Sequence, residues 1–99
     1  MTEKFEWKYH PRVELKLWLE RNFGYFGGNG RKLEDIADNA AQIFDAVSNV
    51  MTFTKEHSGP EIVKYYANDL PTIQKAYFNG DMQKFAEAVD SLKDGIEWE

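Results

Sequence analysis

From Lys32 to Glu56 the apolar residues Leu33, Ile36, Ala37, Ala40, Ile43, Phe44, Val47, Val50 and Met51 recur at three- and four-residue steps. That period winds them into one stripe of an α-helix, whereas a strand would require strict alternation. The spacing predicts one long helix. Its opposite face, Asp35, Asp38, Gln42, Asp45, Asn49, Thr52 and Glu56, is polar and largely acidic. An amphipathic helix of this length must be covered by other elements, so the expected fold class is all-α: a compact bundle of four to five helices around the long central one. The patch Met51-Thr52-Phe53-Thr54 is expected to fray or bend the last turns. Phe44 lies at the centre of the stripe, where a fully buried ring would cost about 3 to 5 kcal/mol on truncation to Ala.

Turn chemistry divides the rest of the chain. Ser58-Gly59-Pro60-Glu61 joins a stop to a capping-box start, predicting a short helix from about Pro60 to Asn68 with Ile62, Val63 and Tyr66 inward. Pro71 is expected to interrupt it, leaving Thr72 to Phe78 as a further helix closed by Asn79-Gly80. Asp81 can cap a last helix, Met82 to Lys93, that buries Met82, Phe85, Ala86, Val89 and Leu92; Gly95 ends it before the tail Ile96 to Glu99. The segment Asn79 to Val89 resembles the turn and second helix of a tetratricopeptide repeat over about a ninth of the chain, without the first-helix signature or a second copy. The resemblance implies that the last two helices form an antiparallel hairpin.

The N-terminal third reads two ways. Pro11 to Phe23 suits a helix started by proline and stopped by Gly24, with Leu15, Trp18, Leu19 and Asn22 on one side. Val13, Leu15, Leu17 and Leu19 also alternate, as do Phe5, Trp7 and Tyr9, so a short β-hairpin turning at His10-Pro11-Arg12 is the alternative. Leu, Glu, Lys and Arg outnumber β-branched residues there, which favours helix, with Phe5 to Tyr9 as an extended aromatic arm.

Charge is divided along the same line. Residues 1–32 carry seven Lys/Arg against four Glu, a formal +3, and residues 33–99 carry five Lys against thirteen Asp/Glu, a formal −8, within a chain of net charge −5. One domain is expected over residues 1–99, with a basic aromatic segment and Gly-rich loop over 1–31 and an acidic helical body over 32–99. Cysteine is absent, which excludes disulfides, thiolate chemistry and cysteine-based metal sites. MTEKFEWKYH has no apolar core of a signal peptide, and no run approaches a membrane span, so a cytoplasmic protein without membrane association is expected. The acidic balance disfavours a general nucleic-acid binder.

No catalytic set is legible. Gly24 to Lys32 leads into a helix start but fails the phosphate-loop pattern, because Tyr25 stands where a glycine is needed and Leu33 follows Arg31-Lys32. His57, beside Glu56 and Glu61, has no second histidine at ligand spacing and reads as a surface residue at a helix end; His10 reads as a turn residue. Ser48, Ser58 and Ser91 lie on helix faces or at a cap without a nucleophile elbow. No enzyme activity, cofactor or metal is therefore expected.

What remains points to binding. Phe44, Tyr66, Phe78 and Phe85 lie on helical stripes and are assigned to the core, whereas Trp7, Tyr9, Tyr25, Phe26 and Trp98 lie outside them; aromatic residues of that kind concentrate energy at interfaces. The expected interface comprises Trp7, Tyr9, Tyr25, Phe26, Arg31 and Lys32 together with Asp35, Asp38 and Asp45, three carboxylates about 15 Å from first to last on one helix face. The expected function is a small non-enzymatic protein-binding module, an intracellular inhibitor or regulator that occupies a basic surface on a larger protein. Small acidic proteins of mobile elements, phages included, that block host nucleases or other defence proteins share this build. The alternatives are a homo-oligomeric structural or adaptor protein, such as a homodimer, and a weak nucleic-acid binder through Lys4, Lys8, Arg12, Lys16, Arg31 and Lys32.

Overall fold

Pro11 starts α1 (Pro11–Phe23) where its missing N–H costs nothing, and Gly24, at φ +63°, ends it with its N–H donated to Glu20 O at 3.1 Å. The helix buries Val13, Leu15, Trp18, Leu19 and Phe23. A strand would have put Leu15, Leu17 and Leu19 on one side; in the helix Leu15 and Leu19 are fully buried and Leu17 turns outward. The computed structural model describes residues 4–24, 33–66 and 69–96, and residues 4–10 run across the surface as an arm without helix or strand.

The expected long helix is two helices, α2 (Leu33–Asp38) and α3 (Ala40–His57). Asn39 breaks it. The Asn39 side-chain amide donates to Asp35 O at 2.8 Å, its N–H turns back to Ile36 O at 3.2 Å, and its carbonyl accepts the first bond of α3 from Ile43 N–H at 2.9 Å. Asparagine competes in this way for backbone groups that a continuous helix would pair. Ile36 stays in the core, but Ala37, assigned to the stripe from spacing, is exposed. The β-branched patch does not fray α3: Thr54 is buried and its hydroxyl donates to Val50 O at 2.9 Å, so the helix continues to His57.

Helix α4 (Pro60–Tyr66) takes its first bonds at Gly59, whose carbonyl accepts from Ile62 and Val63. Ser58 instead closes α3 through its N–H to Thr54 O at 2.8 Å, one residue too early to cap α4. Ile62 and Val63 are half-buried, and the Tyr66 side chain lies outside the described residues. Helix α5 (Asp69–Phe78) includes Pro71 where the sequence predicted an interruption. The proline falls in the first turn, whose N–H groups have no partner within the helix, so it removes no bond.

The turn into α6 (Met82–Asp94) is a Schellman motif. Gly80 has φ +74°, its N–H reaches Tyr77 O at 3.1 Å, and the Asp81 N–H reaches Ala76 O at 3.0 Å. Asp81 Oδ1 then accepts from Lys84 N–H at 3.1 Å and caps α6. This three-residue connection folds α5 and α6 into the hairpin expected from the sequence, and among the described helices they share the most extensive contact. Phe85, Ala86, Val89 and Leu92 are fully buried, Met82 is half-buried, and Ile96, assigned to the tail, is buried.

Six helices are present among the described residues, and none is long and apolar enough to cross a membrane. Helix α3 packs against α1, α2, α4 and α5, while α6 packs against α1, α2 and α5. The radius of gyration is 12.6 Å, the value of a packed chain of this length. Lys16 Nζ donates to Ile96 O at 3.2 Å and ties α1 to the end of α6.

Candidate protein-binding surfaces

Two groups of aromatic residues reach the surface on opposite flanks of α3. Phe44 and Phe53 are nine residues apart, which at 100° per residue is half a turn of the helix and about 13 Å along its axis. Each ring therefore borders the buried stripe from its own side.

On the first flank Phe44 stacks on Tyr77 with ring centroids 4.3 Å apart and planes 9° apart. Phe78 meets Phe44 edge-on at 5.4 Å and Tyr77 at 5.5 Å, and Tyr77 reaches the buried Phe85 at 5.7 Å. Phe78 is 72% exposed. This overturns its assignment to the core and places Phe44 at the rim, half-buried, because consecutive residues of a helix point 100° apart: α5 turns Ile73 and Ala76 inward and carries Phe78 out. Half-buried Met82 and exposed Ala41 lie on the adjoining turns of α6 and α3. The surface is rooted in the core at one end and open at the other.

On the second flank the arm lies over α1 and the C-terminal half of α3. Phe5 packs on Trp18 at 5.2 Å and on Trp7 at 5.6 Å; Trp7 packs on Phe53 at 6.1 Å; Phe53 stacks on His57 at 4.1 Å. Three successive backbone N–H groups of the arm meet one carboxylate. Glu14 accepts the N–H of Lys8 at 3.1 Å on both carboxylate oxygens, that of Tyr9 at 3.0 Å and that of His10 at 2.8 Å. Partial burial pushes the Glu14 carboxyl up, but the N–H groups of His10, Tyr9 and Lys8 and the nearby His10 ring outweigh it and hold the group below its ordinary value.

Of the residues predicted for the interface, Trp7 is half-buried, turned from the arm onto Phe53, and Tyr9 is 81% exposed near the arm's end. Asp35, Asp38 and Asp45 are all exposed, but the break at Asn39 puts the first two on α2 and the third on α3, so they do not form a line along one helix. Tyr25, Phe26, Arg31 and Lys32 lie outside the described residues, as does Trp98. Lys16, assigned to a basic face, is half-buried and engaged with Ile96 O and, at 3.9 Å, with Glu20. Sequence reasoning missed the Phe44, Tyr77 and Phe78 surface. The available signal was the aromatic pair Tyr77-Phe78 at the end of a short helix, where one neighbour faces inward and the other cannot.

No group of three or more His, Asp or Glu side chains among the described residues is placed to hold a metal. His57 is exposed at the end of α3 with Nδ1 3.0 Å from Phe53 O. Burial pushes the Asp69 carboxyl up at the start of α5. Lys93 is buried in α6 with its ammonium 3.1 Å from Asp90 and 3.4 Å from Asp94; burial pulls its proton affinity down, and the two carboxylates, Asp90 first, more than restore it. This pair lies within one helix and reads as structure. The chain matches no family model, and neither a curated protein nor a solved structure is significantly similar to it.

Proposed function

We propose that this chain is a non-enzymatic protein-binding module, a small inhibitor or regulator that works inside the cell by occupying a surface on a larger protein. The observation that carries this reading is the Phe44, Tyr77 and Phe78 surface. A stacked pair rooted on Phe85 holds Phe78 72% exposed on a domain of only 99 residues. Pre-ordered aromatic rings lose little freedom on binding and bury much area, which is why such rings dominate interface energetics. The formal −8 on residues 33–99 favours a partner with a basic surface, drawn in by long-range attraction.

Affinity capture from native cell lysate, with wild type and the Phe78→Ser variant run side by side, tests the reading. A larger protein retained in stoichiometric amount by wild type and lost by the variant is the expected result. Capture of the chain by itself alone would transfer the surface to a homo-oligomer, and an unchanged set of captured proteins would remove it as a binding site.

A further inference from the structure

Residues 4–10 are attached to the helical framework through side chains. Among the described residues, no hydrogen bond from backbone to backbone involves residues 4–9, and the N–H groups of Lys8, Tyr9 and His10 end together on the Glu14 carboxylate. Phe5 and Trp7 pack on the body through Trp18 at 5.2 Å and Phe53 at 6.1 Å. A segment with exposed backbone bonds and few apolar anchors belongs to the least stable part of a fold and opens by itself. The first bond of α1, from Glu14 N–H to His10 O, involves no residue before His10, so opening does not unwind the helix. It does change the surface. Trp18 is only 2% exposed with Phe5 across it, and Trp18 and Phe53 each lose a covering ring when the arm departs.

We infer that residues 4–10 are a strap latched by the charge on Glu14: acid releases the latch and uncovers Trp18 and Phe53 while the helices stay folded. An ionised carboxylate accepts N–H groups about twice as strongly as a neutral oxygen, and protonation turns one of its oxygens into a donor. Three N–H groups of the arm then compete for what is left. The charged groups around Glu14 are Lys4, Glu6, Lys8 and His10 of the arm and Arg21 of α1. Lys4, Lys8, Arg21 and a charged His10 ring all favour the ionised latch, so none of them opens the strap as pH falls. Glu6 is the second carboxylate beside the arm, and only its own substitution separates it from Glu14. The lowered proton affinity of Glu14 has the same sense as the geometry: the closed strap is supported while the carboxyl is ionised and loses that support as pH falls through the lowered value. This device is independent of the Phe78 surface.

The test follows the Trp18 indole resonance and helical circular dichroism of the full chain from neutral to acid pH. A full-length variant with Phe5→Ser and Trp7→Ser supplies the resonance position of an uncovered Trp18. In wild type the resonance should move toward that position as pH falls below 4.5, the ordinary value of Glu14, with the helical signal retained. Glu14→Gln should displace it in the same direction at neutral pH, through an open population roughly fivefold larger, the equivalent of a lost helix cap, and should blunt the response to acid. Glu6→Gln should titrate as wild type does. A Trp18 resonance that stays in place until the helical signal is lost would overturn the proposal, as would an acid response kept in Glu14→Gln and abolished in Glu6→Gln. If the variants fail to fold, hydrogen exchange on wild type decides: the amides of Lys8, Tyr9 and His10 should exchange far faster than those of Val47 and Val50, and equal protection would show that the arm opens only when the whole molecule unfolds.

Discussion

Glu14 and His10 bind each other reciprocally: the Glu14 N–H donates to His10 O at 2.8 Å, and the Glu14 carboxylate accepts the His10 N–H, also at 2.8 Å. The exchange resembles a capping box displaced by one residue, with the same carboxylate extending its hold to Tyr9 and Lys8. Its folded-state proton affinity is lowered, so its contribution is fully present above the ordinary value of 4.5 and is lost as pH falls through the lowered value. We expect the Lys8, Tyr9 and His10 amide resonances to move together as pH falls below that ordinary value. Glu14→Gln should reproduce much of that change at neutral pH and cost about 1 kcal/mol, in the range of a lost helix cap. Amide shifts in the variant that match wild type at neutral pH would show that the carboxylate does not hold the arm.

Phe44 and Phe85 separate rim from core. Phe85→Ala should destabilise by about 3 to 5 kcal/mol, because the ring is fully buried where α5 and α6 meet. Phe44→Ala should cost roughly half as much, and Asp45→Ala less than about 0.5 kcal/mol. Denaturant melts ranking Phe44 with Phe85 would mean that the stacked surface is part of the core.

How legible this fold was depended on whether a residue's role is local. The Schellman turn at Gly80, the Asp81 cap and the start of α1 at Pro11 are set by neighbours within five residues, and the sequence carries them. The break at Asn39 was hidden by the apolar spacing, which continues unbroken across a residue whose side chain diverts the backbone. Pro71 was read as a stop, although two residues upstream extend the helix to where a proline is tolerated. Phe78 lies on the outer side of α5 at 100° per residue from Ile73 and Ala76, and only tertiary packing fixes those two as the inward face. Of the candidate surfaces, the exposure of Tyr9 and of the three carboxylates was legible from pattern, while the stack of Phe44 on Tyr77 joins residues thirty-three positions apart.

Asp90 and Lys93 form a buried pair one helical turn apart. Asp90→Ala removes the nearest carboxylate from an ammonium held in the interior, with exposed Asp94 at 3.4 Å still beside it, and should cost about 3 kcal/mol. Because the proton affinity of Lys93 is raised in the folded state, its contribution is fully present below the ordinary value of 10.5 and is lost as pH rises through the folded value. Melts from neutral to strongly alkaline pH check this: wild type should lose more stability than a Lys93→Met variant, and equal losses would count against the pair.

The most direct measurement is the kinetics of wild type and Phe78→Ser with the captured partner, from low to moderate salt. The variant should fold as stably as wild type and dissociate at least about tenfold faster, as expected for a central aromatic anchor. Association of wild type should slow as salt screens the acidic body over a Debye length of about 10 Å at 0.1 M, and Asp35→Asn with Asp38→Asn should reduce that dependence. Dissociation rates that are the same with and without the Phe78 ring would contradict the assignment of this surface to partner binding.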